Sequence, residues 1–413
     1  MEQLRLSKIR QRFERSRIED VGAAIDSELQ SLSRVVKPGM RVAVAVGSRG
    51  IADLAIIVGR TVDFIKACNA SPCIIPAMGS HGGATASGQA DVLAGYGITE
   101  ASMGAPIRSS MEVEELPNSG LENRVFMDRF AYESDGVLLV NRVKPHTDFH
   151  GAYESGLMKM CVIGLGKHRQ ALEIHRYGVR GLRDLVPPTA MRILDSGKIL
   201  AGIAVVENAY DETLLVRVLS REVIAEVEPE LLALAKHHMA SLPVADLDIL
   251  VVDRMGKDIS GCGLDTNIIG RLKIRGEEEP DFPRIECIVV SELTPASHGN
   301  ATGVGLADVI TRRLYDAIDI RATYENVRTS SFLERGKIPI VAATDLDAVE
   351  AAMRSIGSKA AGDLKLIRIR DTLHLDCFYA SEAVCREIAQ RSNCSIEESL
   401  YPMFASDGRL QDF

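Results

Sequence analysis

The residues best suited to chemistry are concentrated between positions 141 and 175. This stretch holds His146, His150, Lys159, Lys167, His168 and His175 among glycines at 151, 156, 164 and 166. Four of the nine histidines of the chain fall in these 35 residues, a clustering that marks a site. Imidazole titrates near neutral pH and ligates metals, so such a group can act as acid, base or ligand. A surface loop with solvated histidines is the competing reading. Lys159 stands among apolar residues in Gly156-Leu157-Met158-Lys159-Met160-Cys161. A lysine that loses solvation becomes neutral more easily, and hence nucleophilic. The same string also fits a lysine that lays its stem along apolar surface with its head in water. His168 and His175 are seven apart, two turns along one face of a helix over 167–182. Gly164-Leu165-Gly166-Lys167 looks phosphate-like but is too short to be specific.

Other polar groups follow short apolar runs. Ser80, His81, Gly82, Gly83 and Thr85 come after the run at 73–76, between a predicted strand and helix, where free N–H groups and the helix dipole suit an anion. Arg49 holds the matching position after the run at 41–46. The two loops together predict a phosphate or carboxylate clamp. A tight turn with a capping hydroxyl is the alternative. Further along, Asp258, Asp265, Asn267, Arg271 and Lys273 follow one run, and His298 and Asn300 the next. Their spacing matches no metal pattern, so recognition of a substrate carboxylate by Lys273 or Arg271 is the simpler expectation. His237-His238 closes a helix, where imidazolium complements the dipole, and receives no other role.

These residues need a scaffold, and the patterning predicts one. Continuous apolar runs at 41–46, 73–76 and 136–140 read as strands buried on both faces. Helical spacing over 51–68 and from 90 completes a βαβ grammar with the polar loops at the carboxyl ends of the strands. A second series of runs, at 247–252, 286–290 and 339–343, follows the helical stretch at 228–239. A closing hairpin is expected across Arg370-Asp371, and Ser395-Ile396-Glu397-Glu398 reads as a capping box opening a last short helix. The expected fold class is α/β: two α/β domains with mainly parallel sheets and the site in the cleft between them. Residues 1–240 form the cofactor-binding domain and 241–413 the C-terminal one, whose last helix packs back on the first.

Length and composition agree. A chain of 413 residues is too long for one compact domain and comfortable for two. Its net charge of −9 includes no basic run, which argues against a nucleic-acid or anionic-membrane partner. No apolar stretch is long enough to span a membrane. The charged first seventeen residues lack the apolar core of a signal peptide, and eight scattered cysteines include no CxxC pair. Reduced thiols and a cytoplasmic location are expected.

The strings Gly47-Ser48-Arg49-Gly50-Ile51, Met78-Gly79-Ser80-His81-Gly82-Gly83-Ala84-Thr85 and Asn141-Arg142-Val143-Lys144-Pro145-His146-Thr147-Asp148-Phe149 resemble one branch of the nickel-pincer lactate racemase family of 2-hydroxyacid racemases and epimerases. The resemblance runs in order through the first domain and more weakly through the second. It implies a pyridinium-3,5-bisthiocarboxylic acid mononucleotide, joined covalently to a lysine and chelating nickel, with a histidine completing the nickel sphere. In that family the lysine and histidine are sixteen residues apart, the spacing of Lys159 and His175 here. The resemblance therefore casts Lys159 as covalent anchor, His175 as nickel ligand, His146 as acid/base and His150 as its understudy. Arg49 matches the family's arginine near the substrate, and Lys273 falls roughly where a second-domain lysine sits. In the resemblance the family's second catalytic histidine aligns with 107–111, where this chain has none, and Val46 stands in place of an aspartate paired with the arginine. His81 or His150 is then left to fill the second role.

The implied activity is racemisation or epimerisation of a 2-hydroxy acid by hydride transfer through a 2-keto acid. The implied partners are that small molecule and the proteins that make the cofactor; a homo-oligomer is left open. Two alternatives follow from the missing histidine. One is a cofactor-free binding protein for a phosphorylated or carboxylate metabolite. The other is a diverged lyase or redox enzyme with a single base.

Overall fold

The structure, a computed structural model, describes residues 4–48 and 50–413, excepting the side chains of residues 361 and 400. It divides into two compact units: Glu14–Met239, and the residues before Glu14 together with Ala240–Phe413.

The unit Glu14–Met239 is built on a five-stranded sheet in the order Ser71–Pro76, Arg41–Val46, Gly136–Arg142, Ile199–Glu207, Thr213–Ser220. The first four strands are parallel and the last is antiparallel. Val42, Ala43, Val44, Ala45 and Val46 are all fully buried, as a central strand covered on both faces requires. The helix Leu54–Ala67 follows this strand because Leu54, Ile57, Val58, Thr61, Val62 and Ile65 recur at helical spacing and face the sheet. Burying each of its large aliphatic side chains contributes about 1.5–3 kcal/mol. Three of the four loops that leave the parallel strands, at 47–53, 77–85 and 143–156, carry the polar strings noted in the sequence.

The other unit carries an eight-stranded sheet in the order Ile340–Ala342, Val309–Thr311, Arg284–Leu293, Asp246–Met255, Leu366–Ile369, Cys377–Ala380, Arg5–Gln11, Cys394–Pro402. Its first five strands are parallel and the remaining pairings antiparallel. Both units are therefore α/β with mainly parallel sheets.

The structure differs from the sequence reading at both chain ends. Arg5–Gln11 belongs to the eight-stranded sheet, although its position in the chain placed it with the first domain. The capping-box signal at Ser395 opens no helix: Cys394–Pro402 is a strand, with Ser395 opposite Arg10 and Ile396 opposite Ile9. Pairing with an open sheet edge, aided by Arg10 Nε on Glu397 at 3.0 Å, outweighs a local cap worth about 1 kcal/mol. The hairpin forms, but through residues 370–376 rather than a two-residue turn, because Asp371 accepts the N–H groups of Leu373 and His374.

Candidate active site at the carboxyl edge of the five-stranded sheet

The strand Gly136–Arg142 delivers the chain into a closed loop. Lys144 and Ser155 exchange backbone hydrogen bonds across its neck. Inside lies Glu154, its side chain fully buried, which accepts the N–H of His146 at 2.6 Å and that of Gly151 at 3.4 Å. It also meets His150 Nδ1 at 3.3 Å and Lys236 Nζ at 2.6 Å. Burial works to raise the Glu154 pKa, but His150, Lys236 and the His146 N–H outweigh it and hold the carboxylate ionised below its ordinary range. One buried anion thus organises the loop that carries two candidate histidines.

The chain then turns at Gly156 into the short helical turn Leu157–Lys159. Glu228, fully buried on the helix Ile224–His238, accepts the N–H of Met158 at 3.0 Å and so caps this turn. A Cβ at Gly156 would stand 2.3 Å from Glu228 Oε1, so the close approach requires glycine. Lys159 then reaches back to His146: Nζ bonds to Nε2. The backbone N–H of Asp148 donates to His146 Nδ1 at 3.0 Å, so Nδ1 carries a lone pair and a neutral ring holds its proton on Nε2. In that tautomer Nε2–H donates and Nζ accepts, the uncharged form in which an amine is nucleophilic. Phe149 covers the pair, with its ring centroid 4.7 Å from that of His146 and 5.6 Å from Lys159 Nζ.

His175 ends the helix Lys167–His175 and lies within electrostatic reach of the same group. Burial pushes its pKa down, with a further push from Lys159 when that amine is protonated, and Asp148 opposes them. A neutral imidazole with a free lone pair is the ligating form. His168, on the same helix, is half-buried.

The other loops pack closely against this segment. A Cβ on Gly47 would meet Asn141 Oδ1 at 2.5 Å, and Asn141 Nδ2 donates to Gly156 O at 2.9 Å. The Gly79 N–H donates to Gly164 O at 3.4 Å. His81 Nδ1 meets Ser48 Oγ at 2.5 Å, joining the loops that follow two neighbouring strands. Lys167, fully buried with φ of 56°, bonds to Pro76 O, to Gln89 Oε1 at 3.0 Å and to Asp128 at 3.1 Å. Gln89 in turn donates to the carbonyls of Gly79 and His81. Lys167 is thus a buried tie beneath the His81 loop.

Several expected site residues have other duties. The segment 80–85 contains the tight turn and the capping hydroxyl: Thr85 accepts from Gly88 N, and the N–H groups of His81, Ala84 and Thr85 bond to the carbonyls of Met78, Ser80 and Gly82. Ser80, Gly82 and Gly83 shape a turn in which the N–H groups of His81, Ala84 and Thr85 are engaged. Arg271 spends its guanidinium on Leu306 O, Ile285 O and Asp308, and Lys273 reaches Gly305 O at 2.8 Å. Burial pushes the Lys273 pKa down, though Asp308 opposes it. These two expected carboxylate binders are committed to fastening their own unit. His298 is exposed at the end of a short 3₁₀ turn in the same unit. Arg49 lies outside the described residues. Glu154 and Glu228 were not singled out from sequence, because lone carboxylates at irregular spacing carry no motif, and Ser48 and Asp148 stood in the family strings without a role; only the fold brings all four to their partners.

A groove of about 870 Å³, lined in part by Arg17, Asp20, Asp53, Arg60 and Glu212, lies on this unit but holds none of the candidate residues. Its Arg17 and Glu212 pair with each other, and Arg15 joins Glu212 from outside the lining. Among the described residues no helix is long and apolar enough to cross a membrane.

Two α/β units with mainly parallel sheets, one with amine, imidazoles and carboxylate gathered at the carboxyl edge, define the class of scaffold. No family model matches the chain, and no curated protein matches it. Among solved structures it is similar to the lactate racemase apoprotein from Thermoanaerobacterium thermosaccharolyticum, with a TM-score of 0.51 and 11% identity over 94% of this chain and 97% of that chain. At that identity the likeness is one of fold.

Proposed function

We propose that this protein is an isomerase, a racemase or epimerase of a 2-hydroxy acid, that carries a nickel-pincer nucleotide on Lys159. The observation that carries the reading is the contact of Lys159 Nζ with His146 Nε2, within electrostatic reach of a His175 whose burial favours the neutral ring. The donor set suits the group: an amine able to form the covalent link, and an imidazole with a free lone pair for nickel. Lys159 would hold the nucleotide and His175 would ligate the metal. When bound, the group supplies a place that takes a hydride from C2 of the substrate and returns it.

The chain's own residues manage the proton. Inversion at C2 needs the hydroxyl proton removed and restored with a base available on each face of the planar carbon. His146 would be the base on one face: with Lys159 Nζ taken up by the covalent link, the ring would carry its proton on Nδ1, toward the Asp148 carboxylate at 3.8 Å, and free its Nε2 lone pair, while its backbone N–H stays on Glu154. His81 takes the second role, oriented through Ser48. His150, engaged by Glu154, is a supporting group of the loop. Phe149 covers the His146–Lys159 contact and keeps it partly dry.

Intact mass and nickel content, measured on protein produced together with the cofactor-making enzymes, test the reading. A covalent adduct with stoichiometric nickel, absent in Lys159→Ala, supports it. An unmodified mass without nickel, where a known racemase loads fully beside it, overturns it and favours the cofactor-free metabolite binder.

A further inference from the structure

The helix Ile224–His238 ends in two adjacent histidines, and Glu14 opens the same unit at its other end in sequence. One donor atom from each of Glu14, His237 and His238 lies within 4.8 Å of the others. The two imidazole rings stand edge to face with centroids 5.0 Å apart. Glu14 and His237 are exposed, whereas the His238 side chain is only 8% exposed. His238 Nδ1 is buried without a hydrogen-bond partner and faces Glu14 Oε2 at 3.9 Å, too far for a hydrogen bond. Leaving such a nitrogen unsatisfied is costly. The helix-dipole role assigned from sequence accounts for a cationic ring at this end but not for a buried, unpartnered Nδ1 aimed at a carboxylate.

We propose that Glu14, His237 and His238 form a binding site for a borderline divalent cation, zinc foremost, distinct from the Lys159–His175 group. Two imidazole nitrogens and one carboxylate oxygen are a donor set for zinc with the fourth position left to water, which the exposure of Glu14 and His237 admits. Magnesium and calcium favour oxygen ligands and are poorly served by two imidazoles. The cation supplies the partner that His238 Nδ1 lacks. It also cross-links the first residue of the unit to the two residues before its last, so it closes a very long loop, the case in which a metal clip has most chain entropy to remove. The chain enters and leaves the unit at this point, at Glu14 and Met239.

Apoprotein made without a histidine tag, in a host that lacks the pincer cofactor, is titrated with zinc against a chromophoric chelator, and with cobalt by its visible d–d absorption. One equivalent per chain is expected, with a four-coordinate cobalt spectrum and a rise in Tm on adding zinc. Loss of an outer partner alone typically weakens metal sites 10–100-fold, so His237→Ala and Glu14→Gln, both at exposed positions that leave the core intact, should each weaken binding about tenfold or more. His238→Ala should do the same, and His175→Ala should leave this equivalent unchanged. Absence of binding, or binding that these three ligand variants leave untouched, overturns the proposal.

Discussion

The Glu228 carboxylate accepts the N–H of Met158 at 3.0 Å, directly before Lys159 in the turn Leu157–Lys159. Burial pushes the Glu228 pKa up to about 7, against the opposing pull of the Met158 and Leu157 N–H groups. Between its ordinary 4.5 and about 7, the folded protein keeps a proton that the unfolded chain has lost. Stability contributed by this group therefore falls as pH rises through that window and stays lower above it. The change is about 3 kcal/mol at 1.36 kcal/mol per unit. Glu228→Gln, which keeps an acceptor for Met158, should flatten the slope. Urea midpoints at pH 5 and pH 8 measure it, and an unchanged difference in the variant would refute the assignment.

Gly156 is where the chain comes closest to that carboxylate. Its φ of 177° is ordinary extended backbone, so the demand for glycine is steric. Gly156→Ala places a methyl 2.3 Å from Glu228 Oε1 and forces the cap or the turn to move. A loss of about 1–3 kcal/mol is expected from such overpacking. Under the proposed function, the displaced turn should also reduce cofactor loading at Lys159. A variant as stable as the parent would show that the carboxylate can rotate away freely.

The tie between Lys167 and Asp128 is buried on both sides. Burial pushes the Asp128 pKa up and the Lys167 pKa down, and each partner's charge resists the other's shift. Removing one partner strands the other, at about 3–5 kcal/mol. Lys167→Met should therefore destabilise strongly, and the double variant Lys167→Met with Asp128→Asn should recover part of the loss. A double variant no better than the sum of the singles would show that the bonds to Pro76 and Gln89, rather than the ion pair, dominate.

The sheet scaffold was legible because buried strands write their burial into the sequence: Val42 to Val46 leave little choice but a central strand. The short polar strings after the strands were legible too, since Asn141, His146 and the glycines lie close in sequence to the turns they make. Long-range electrostatics left no such trace. Glu154 and Glu228 look like ordinary solvated acids until the fold buries them beside N–H groups and, for Glu154, Lys236. Arg271 and Lys273 show long-range contacts of another kind. Their types suit an anion, but the carbonyls of Gly305 and Leu306, more than thirty positions away, claim them first. Ser395 to Glu398 satisfied a local helix rule that the free edge of Arg5–Gln11 overrode.

Ser48 offers the sharpest test of how the second base is oriented. Its hydroxyl meets His81 Nδ1 at 2.5 Å, which fixes which ring nitrogen faces away from the loop. General acid–base groups contribute about 10²–10⁴-fold to rate, and a partner that only orients one contributes a part of that. Under the proposed function, Ser48→Ala should therefore slow interconversion of the 2-hydroxy acid enantiomers about tenfold, with mass adduct and nickel content intact. His81→Ala should cost more, in the general-base range, and adding Ser48→Ala to it should change nothing further, because the hydroxyl acts through the ring. Equal, additive losses in the two variants would separate Ser48 from His81 and assign the second proton transfer to another group.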